Sequence, residues 1–155
     1  MRCLASSFGS AGDFLPTLAV AAALRRRGHD VRFVANPAYA ARVAGAGLDL
    51  IPAGAAVDVG AKIEQNPGYG DFSGAATMLE DLVAPHIEAT HRVVGDLIRS
   101  ATFDVVVTND AGYGALWAAA EAHVPSVLVH PSPRGSGCFR AYWRTHRRSG
   151  GFGSC

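Results

Sequence analysis

Short apolar runs alternate with stretches of helical periodicity along the first 130 residues of this 155-residue chain. Residues 2–6 read as a short buried strand, after which Leu15, Leu18, Ala19, Ala22 and Ala23 recur at the spacing of one helix face. Asp13 near the start of that helix, Pro16 in its first turn and Arg25, Arg26 and Arg27 before Gly28 agree with its polarity. A second strand follows at 30–36, a short helix at 37–45 and a third strand at 48–52. Residues 53–73, with four glycines, Pro67, Tyr69 and Phe72 among small and polar residues, break the pattern and read as a long loop. Loops of that length in a compact domain are functional or disordered.

Leu79, Leu82, Val83, Ile87, Thr90, Val94, Leu97 and Ile98 then mark one face of a helix over 77–99, in which Pro85 predicts a kink or break near Ala84. The valine-rich run 103–108 predicts a strand covered on both faces, ended by Asn109 and Asp110. A small-residue helix over 112–123 leads to a fifth strand at 125–130. Five strands joined by helical crossovers imply an α/β fold, a Rossmann-like doubly wound parallel sheet with helices on both faces and right-handed connections.

Composition supports one globular domain: 49% of residues are hydrophobic and 17% charged. The net charge of +1 conceals an asymmetry, since residues 1–132 carry nine basic and thirteen acidic side chains, whereas 133–155 carry five arginines and no acid. The expected division is therefore a Rossmann-like body over 1–132 and a basic tail over 133–155. Such an Arg-, Gly- and Ser-containing end is expected to stay solvated or to be an aberrant terminus, not to bind nucleic acid. Cys3, Cys138 and Cys155 are too widely spaced for a disulfide framework or a metal knuckle, and a reducing cytoplasm fits them. No apolar run approaches the ~18 residues of a membrane span. His86 and His91 are five apart, not the four of paired zinc ligands on a helix, so packing or exposure is expected and no metal.

Candidate chemistry gathers between the first strand and first helix, at Gly9, Ser10, Gly12 and Asp13. Ligands of open α/β sheets collect outside the carboxyl ends of strands, which puts this turn at the functional edge. Gly9 and Gly12 make G-x-x-G, not the dinucleotide G-x-G-x-x-G, and the second strand ends in Asn36 where a ribose-binding acid would stand. There is no G-K-[ST]. A carboxylate at the mouth would repel a phosphate and suits proton abstraction; it would equally serve as a helix cap.

Residues 9–16, GSAGDFLP, followed by LRRRGHDV at 24–31, resemble the N-terminal domain of GT-B glycosyltransferases, in the sterol and antibiotic glucosyltransferase branch. The resemblance covers residues 1 to about 132. It implies the acceptor-binding half of an inverting enzyme that moves a hexose from a nucleotide-sugar, a UDP- or TDP-hexose, to a hydroxyl of a lipid-like or natural-product acceptor, with no further cofactor. Asp13 would be the general base, and Asp110 would fall where relatives place an acid that supports a catalytic His, although position 13 is here an Asp. Gly9, Ser10, Gly12, Tyr69, Phe72 and His130 would contact substrate, with Phe139, Tyr142 and Trp143 in the segment that shapes the acceptor pocket; packing is the alternative for the aromatics. Relatives carry a second, donor-binding domain. Without it the chain is expected to have little activity alone and to act with a donor-binding domain on another chain; a noncatalytic docking subunit and a nonfunctional truncated product are the alternatives.

Overall fold

The computed structural model describes residues 1–71 and 74–130; Phe72 and the tail over 133–155 lie outside the described residues. Five parallel strands, β1 (Arg2–Ser7), β2 (Asp30–Ala35), β3 (Leu50–Pro52), β4 (Val105–Asn109) and β5 (Ser126–Val129), form one sheet in the order β3-β2-β1-β4-β5. The central β1 places Cys3 beside Val31 on one side and Val105 on the other, and β4 places Val107 beside Val127. Parallel strands need crossovers, and helices supply them: α1 (Ala11–Arg26), α2 (Ala40–Gly45), α3 (Val59–Gln65), α4 (Gly74–Met78), α5 (Ala84–Ser100) and α6 (Tyr113–Glu121).

Alternation along the strands splits the core into two layers. Cys3, Ala5, Phe33, Ala35 and Val107 pack against Phe14, Leu18, Ala21 and Ala22 of α1 and Val43 of α2. Leu4, Val34 and Val106 face the other way, onto Val94 of α5 and Ala115, Ala118 and Ala119 of α6. This is the doubly wound sheet that the alternation of elements predicts.

Several local expectations shift. The helix expected to begin near Asp13 starts at Ala11, with Ser10 as N-cap and Asp13 third in the helix. Pro16 is then in the second turn, and its missing N–H leaves the carbonyl of Gly12 without its usual donor. Residues 53–73 are not one long loop. Asp58 caps α3 by accepting from the Ala61 N–H at 3.0 Å, and Pro67–Gly70 forms a 3-10 turn. The helix of 77–99 is interrupted as Pro85 requires: a π turn at Leu79–Val83 separates α4 from α5.

Candidate active site

The turn from β1 into α1 is built around the Asp13 carboxylate. Its Oδ2 accepts from the Ser10 backbone N–H at 3.1 Å and from the Ser10 hydroxyl at 3.0 Å. This is the back-reaching half of a capping box, made by the third helical residue. The positive end of the helix also favours an anion there. No hydrogen bond engages Oδ1 among the described residues, and the side chain is half-buried. Asp13 is therefore anchored through one oxygen and open through the other.

Gly9 makes this approach feasible. Its φ is +125°, and a Cβ there would lie 2.6 Å from Asp13 Oδ2. Gly12 is different, because a Cβ would meet only Ser10 Oγ at 3.6 Å, an ordinary contact. Tyr39 donates its hydroxyl to the Gly9 carbonyl at 3.0 Å, and its ring stacks on Phe14 with centroids 4.0 Å apart. Burial pushes the Tyr39 phenol above its ordinary value; Arg42 opposes this, and Asp58 and Asp13 add to it. The hydroxyl remains a donor, fixed beneath the turn.

Asn109, a residue with no functional reading in the sequence, holds the turn from the other side. Its buried amide donates to the Phe8 carbonyl at 2.6 Å and more weakly to that of Asp13 at 3.5 Å, while Oδ1 accepts from the Phe8 N–H at 3.4 Å. Asn36, at the end of β2, acts in the same way. It accepts from the N–H groups of Ala38 and Val57 and donates to the Val57 carbonyl, pinning the segment after β3. An Asn at the end of a strand is the signal that could have found both, since its amide matches a neighbouring backbone's donor and acceptor.

Asp110 and His130 are brought together by the adjacency of β4 and β5. His130 Nδ1 lies 2.8 Å from Asp110 Oδ2, with both side chains a little under half exposed. A carboxylate only accepts, so the Nδ1 that faces Asp110 carries a proton, and no hydrogen bond engages Nε2 among the described residues.

Tyr69 stands apart from these groups. Its hydroxyl donates to Asp81 Oδ2 at 3.0 Å, tying the 3-10 turn to the π turn. Phe72 lies outside the described residues, as do Phe139, Tyr142 and Trp143. His91 pairs with Glu121 at 2.9 Å across α5 and α6, and no cluster of metal-ligating side chains occurs among the described residues. His86 is buried, with its ring 4.3 Å from that of Phe8 and Nδ1 3.2 Å from the Leu82 carbonyl; Nε2 has no hydrogen-bond partner among the described residues. Burial holds His86 below its ordinary value, while the backbone of Leu82 and, outside hydrogen-bond geometry, that of Ala55 oppose the shift. An open apolar groove of about 450 Å³ between α5 and α6 is lined by Ala84, Ile87, Glu88, His91, Trp117 and Glu121. None of the candidate residues lines it, so the chemistry is assigned to the sheet rim.

Residues 4–127 match the glycosyltransferase family 28 N-terminal domain. The chain belongs to this family. The glycosyltransferase fold agrees: the chain superposes on a kitacinnamycin glycotransferase with a TM-score of 0.65 at 22% identity, covering 84% of this chain and 30% of that one. It superposes on the glycosyltransferase SnogD from Streptomyces nogalater with a TM-score of 0.62 at 28% identity, covering 86% and 37%. Among curated relatives, a dTDP-epi-vancosaminyltransferase of Amycolatopsis orientalis is 40% identical over 84 residues, 54% of this chain and 20% of the relative. An erythronolide mycarosyltransferase of Saccharopolyspora erythraea is 33% identical over 112 residues, 66% and 27% respectively. The chain spans less than a third of the length of these curated relatives. It is an N-terminal domain of the GT-B type, and no helix among the described residues is long and apolar enough to cross a membrane.

Proposed function

We propose that this glycosyltransferase domain binds the acceptor and deprotonates it. The reaction is an inverting transfer of a hexose from a nucleotide-sugar to a hydroxyl of a natural-product or lipid-like acceptor. Asp13 Oδ1 takes the hydroxyl proton as the oxygen bonds to the anomeric carbon, and the bond from that carbon to the diphosphate breaks with its electron pair leaving on the nucleotide. The observation that carries this reading is a carboxylate at the mouth of the β1–α1 turn tethered through Oδ2, with no hydrogen bond on Oδ1 among the described residues. One relative is named an erythronolide mycarosyltransferase, and an acceptor of that kind supports a natural-product acceptor here over a macromolecular one.

A donor-binding domain must supply the nucleotide-sugar, because orienting both reactants accounts for roughly 7–11 kcal/mol of the barrier. The test mixes the chain with such a domain, UDP- or TDP-glucose and a panel of hydrophobic alcohols. Asp13→Asn keeps an oxygen able to accept from the Ser10 N–H but removes the base. Turnover is expected to fall about 10²–10⁴-fold while circular dichroism stays native. Undiminished turnover would remove Asp13 from the reaction; unfolding of the variant would assign it to the cap.

A further inference from the structure

The β1–α1 turn rests on a buried imidazole that the proposed chemistry does not use. His86, in the first turn of α5, is 5% exposed and packs its ring against Phe8, with centroids 4.3 Å apart and planes inclined at 33°. Phe8 is the residue before Gly9 and is itself buried. On one edge of the imidazole, Nδ1 lies 3.2 Å from the Leu82 carbonyl of the π turn. A carbonyl only accepts, so the Nδ1 that faces it carries a proton. Another edge meets the segment after β3: a Cβ at Gly54 would lie 3.5 Å from Cδ2 and 3.6 Å from Nε2. One ring thus touches three separate segments of chain.

An apolar side chain would fill this place without burying a nitrogen that has no hydrogen-bond partner among the described residues. Such atoms are rare in folded proteins, and each calls for a reason. What sets histidine apart from an aliphatic residue here is a flat ring whose orientation a hydrogen bond fixes. Asn109 holds the main chain of Phe8, and His86 supports its side chain. With Phe8 held twice, the next residues are fixed as well, and Ser10 among them supplies both hydrogen bonds that anchor Asp13.

We infer that His86 is a positioning residue: through Phe8 it fixes the turn that aims Asp13 at the acceptor hydroxyl, while its own ring stays buried. This deepens the proposed function and rests on it. A displacement of about 1 Å at a reacting group costs on the order of 10²-fold in rate. Loss of the ring is therefore felt in kcat and not in acceptor binding.

The amides of Phe8 and Ser10, which donate to Asn109 Oδ1 and Asp13 Oδ2, report the state of the turn in the whole chain. In His86→Leu both are expected to exchange with solvent at least about tenfold faster, while amides paired within β1 and β4 keep their rates. In the mixture with a donor-binding domain, nucleotide-sugar and alcohols, kcat of His86→Leu should fall roughly 10–100-fold, with the acceptor KM within about twofold of the native value. His86→Phe, which returns a flat ring beside Phe8, should recover part of the loss. Unchanged exchange at Phe8 and Ser10, or an unchanged kcat in His86→Leu where Asp13→Asn has lost turnover, overturns the inference and leaves the proposed function standing. So does a His86→Leu chain that unfolds or exchanges faster throughout, since that assigns the ring to the core. Undiminished turnover in Asp13→Asn, or no turnover in the native mixture, overturns both.

Discussion

Asn109 and Phe8 exchange hydrogen bonds in both directions, so the end of β4 is spliced to the first residue beyond β1. Both groups are buried, and removing the Asn109 amide leaves a donor and an acceptor of Phe8 without partners. An unsatisfied buried group costs about 1–3 kcal/mol. Asn109→Ala is expected to lower stability to urea by about 2–4 kcal/mol on that count. Asn109→Asp should be at least as damaging, since it sets a carboxylate oxygen against the Phe8 carbonyl; equal stability of the native chain and Asn109→Asp would refute the splice.

The two glycines of the first turn should behave oppositely. Gly9→Ala meets the Asp13 carboxylate at 2.6 Å in a backbone region L residues avoid, so a loss of at least 1–2 kcal/mol, roughly, is expected. Gly12→Ala places a methyl at ordinary contact distance in the first turn of a helix and should be neutral or stabilising by up to about 1 kcal/mol. Melting temperatures of the two variants decide the matter.

Small residues let α6 lie close against α5, and Gly114 marks the nearest approach. A Cβ there would fall 2.3 Å from the Ile87 carbonyl oxygen and 2.8 Å from the His91 nitrogen, both main-chain atoms that have little room to yield. Gly114→Ala is therefore expected to cost about 1–3 kcal/mol. The exposed His91–Glu121 pair across the same helices should matter much less: Glu121→Gln is expected to change stability by under about 1 kcal/mol. Chemical denaturation of both variants tests the contrast.

His86 gives stability a pH dependence of known sign. Burial sets its folded value below the ordinary 6.5, so below that pH the unfolded chain takes up the proton more readily. The His86 contribution is complete above about pH 6.5, declines as pH falls through the window beneath it, and levels off below the folded value. His86→Phe keeps an aromatic ring beside Phe8 and should flatten the stability profile in that window. A profile of unchanged slope in the variant would count against a neutral buried imidazole.

Much of the architecture was legible because helices and strands here carry distinct periods, and because Pro85 and the residues around Asp13 punctuate them clearly. The strand ends shifted by one or two residues: β2 stops at Ala35, before Asn36, and β4 runs on to include Asn109, because the amides of both bond backbone that is distant in sequence. Helix α3 escaped notice because only Val59 and Ile63 supply apolar spacing; Asp58 as its cap was the available signal. At the site, the Asp13 carboxylate at the mouth of the turn could be read from the sequence, but its anchoring to Ser10 could not. The Asp110–His130 contact joins residues 20 apart, and it exists only because β4 and β5 lie side by side.

The π turn at Leu79–Val83 carries one more residue than a regular helix would need over the same span. Deleting a single residue there would convert the stretch to continuous α-helix and swing α4 by about 100° relative to α5. The Tyr69–Asp81 tether would be severed, while the α5 face that packs on the sheet keeps its alignment. The extra residue thus works as a rotational spacer, and the segment between β3 and α5 can be re-aimed by a one-codon change that leaves the sheet untouched.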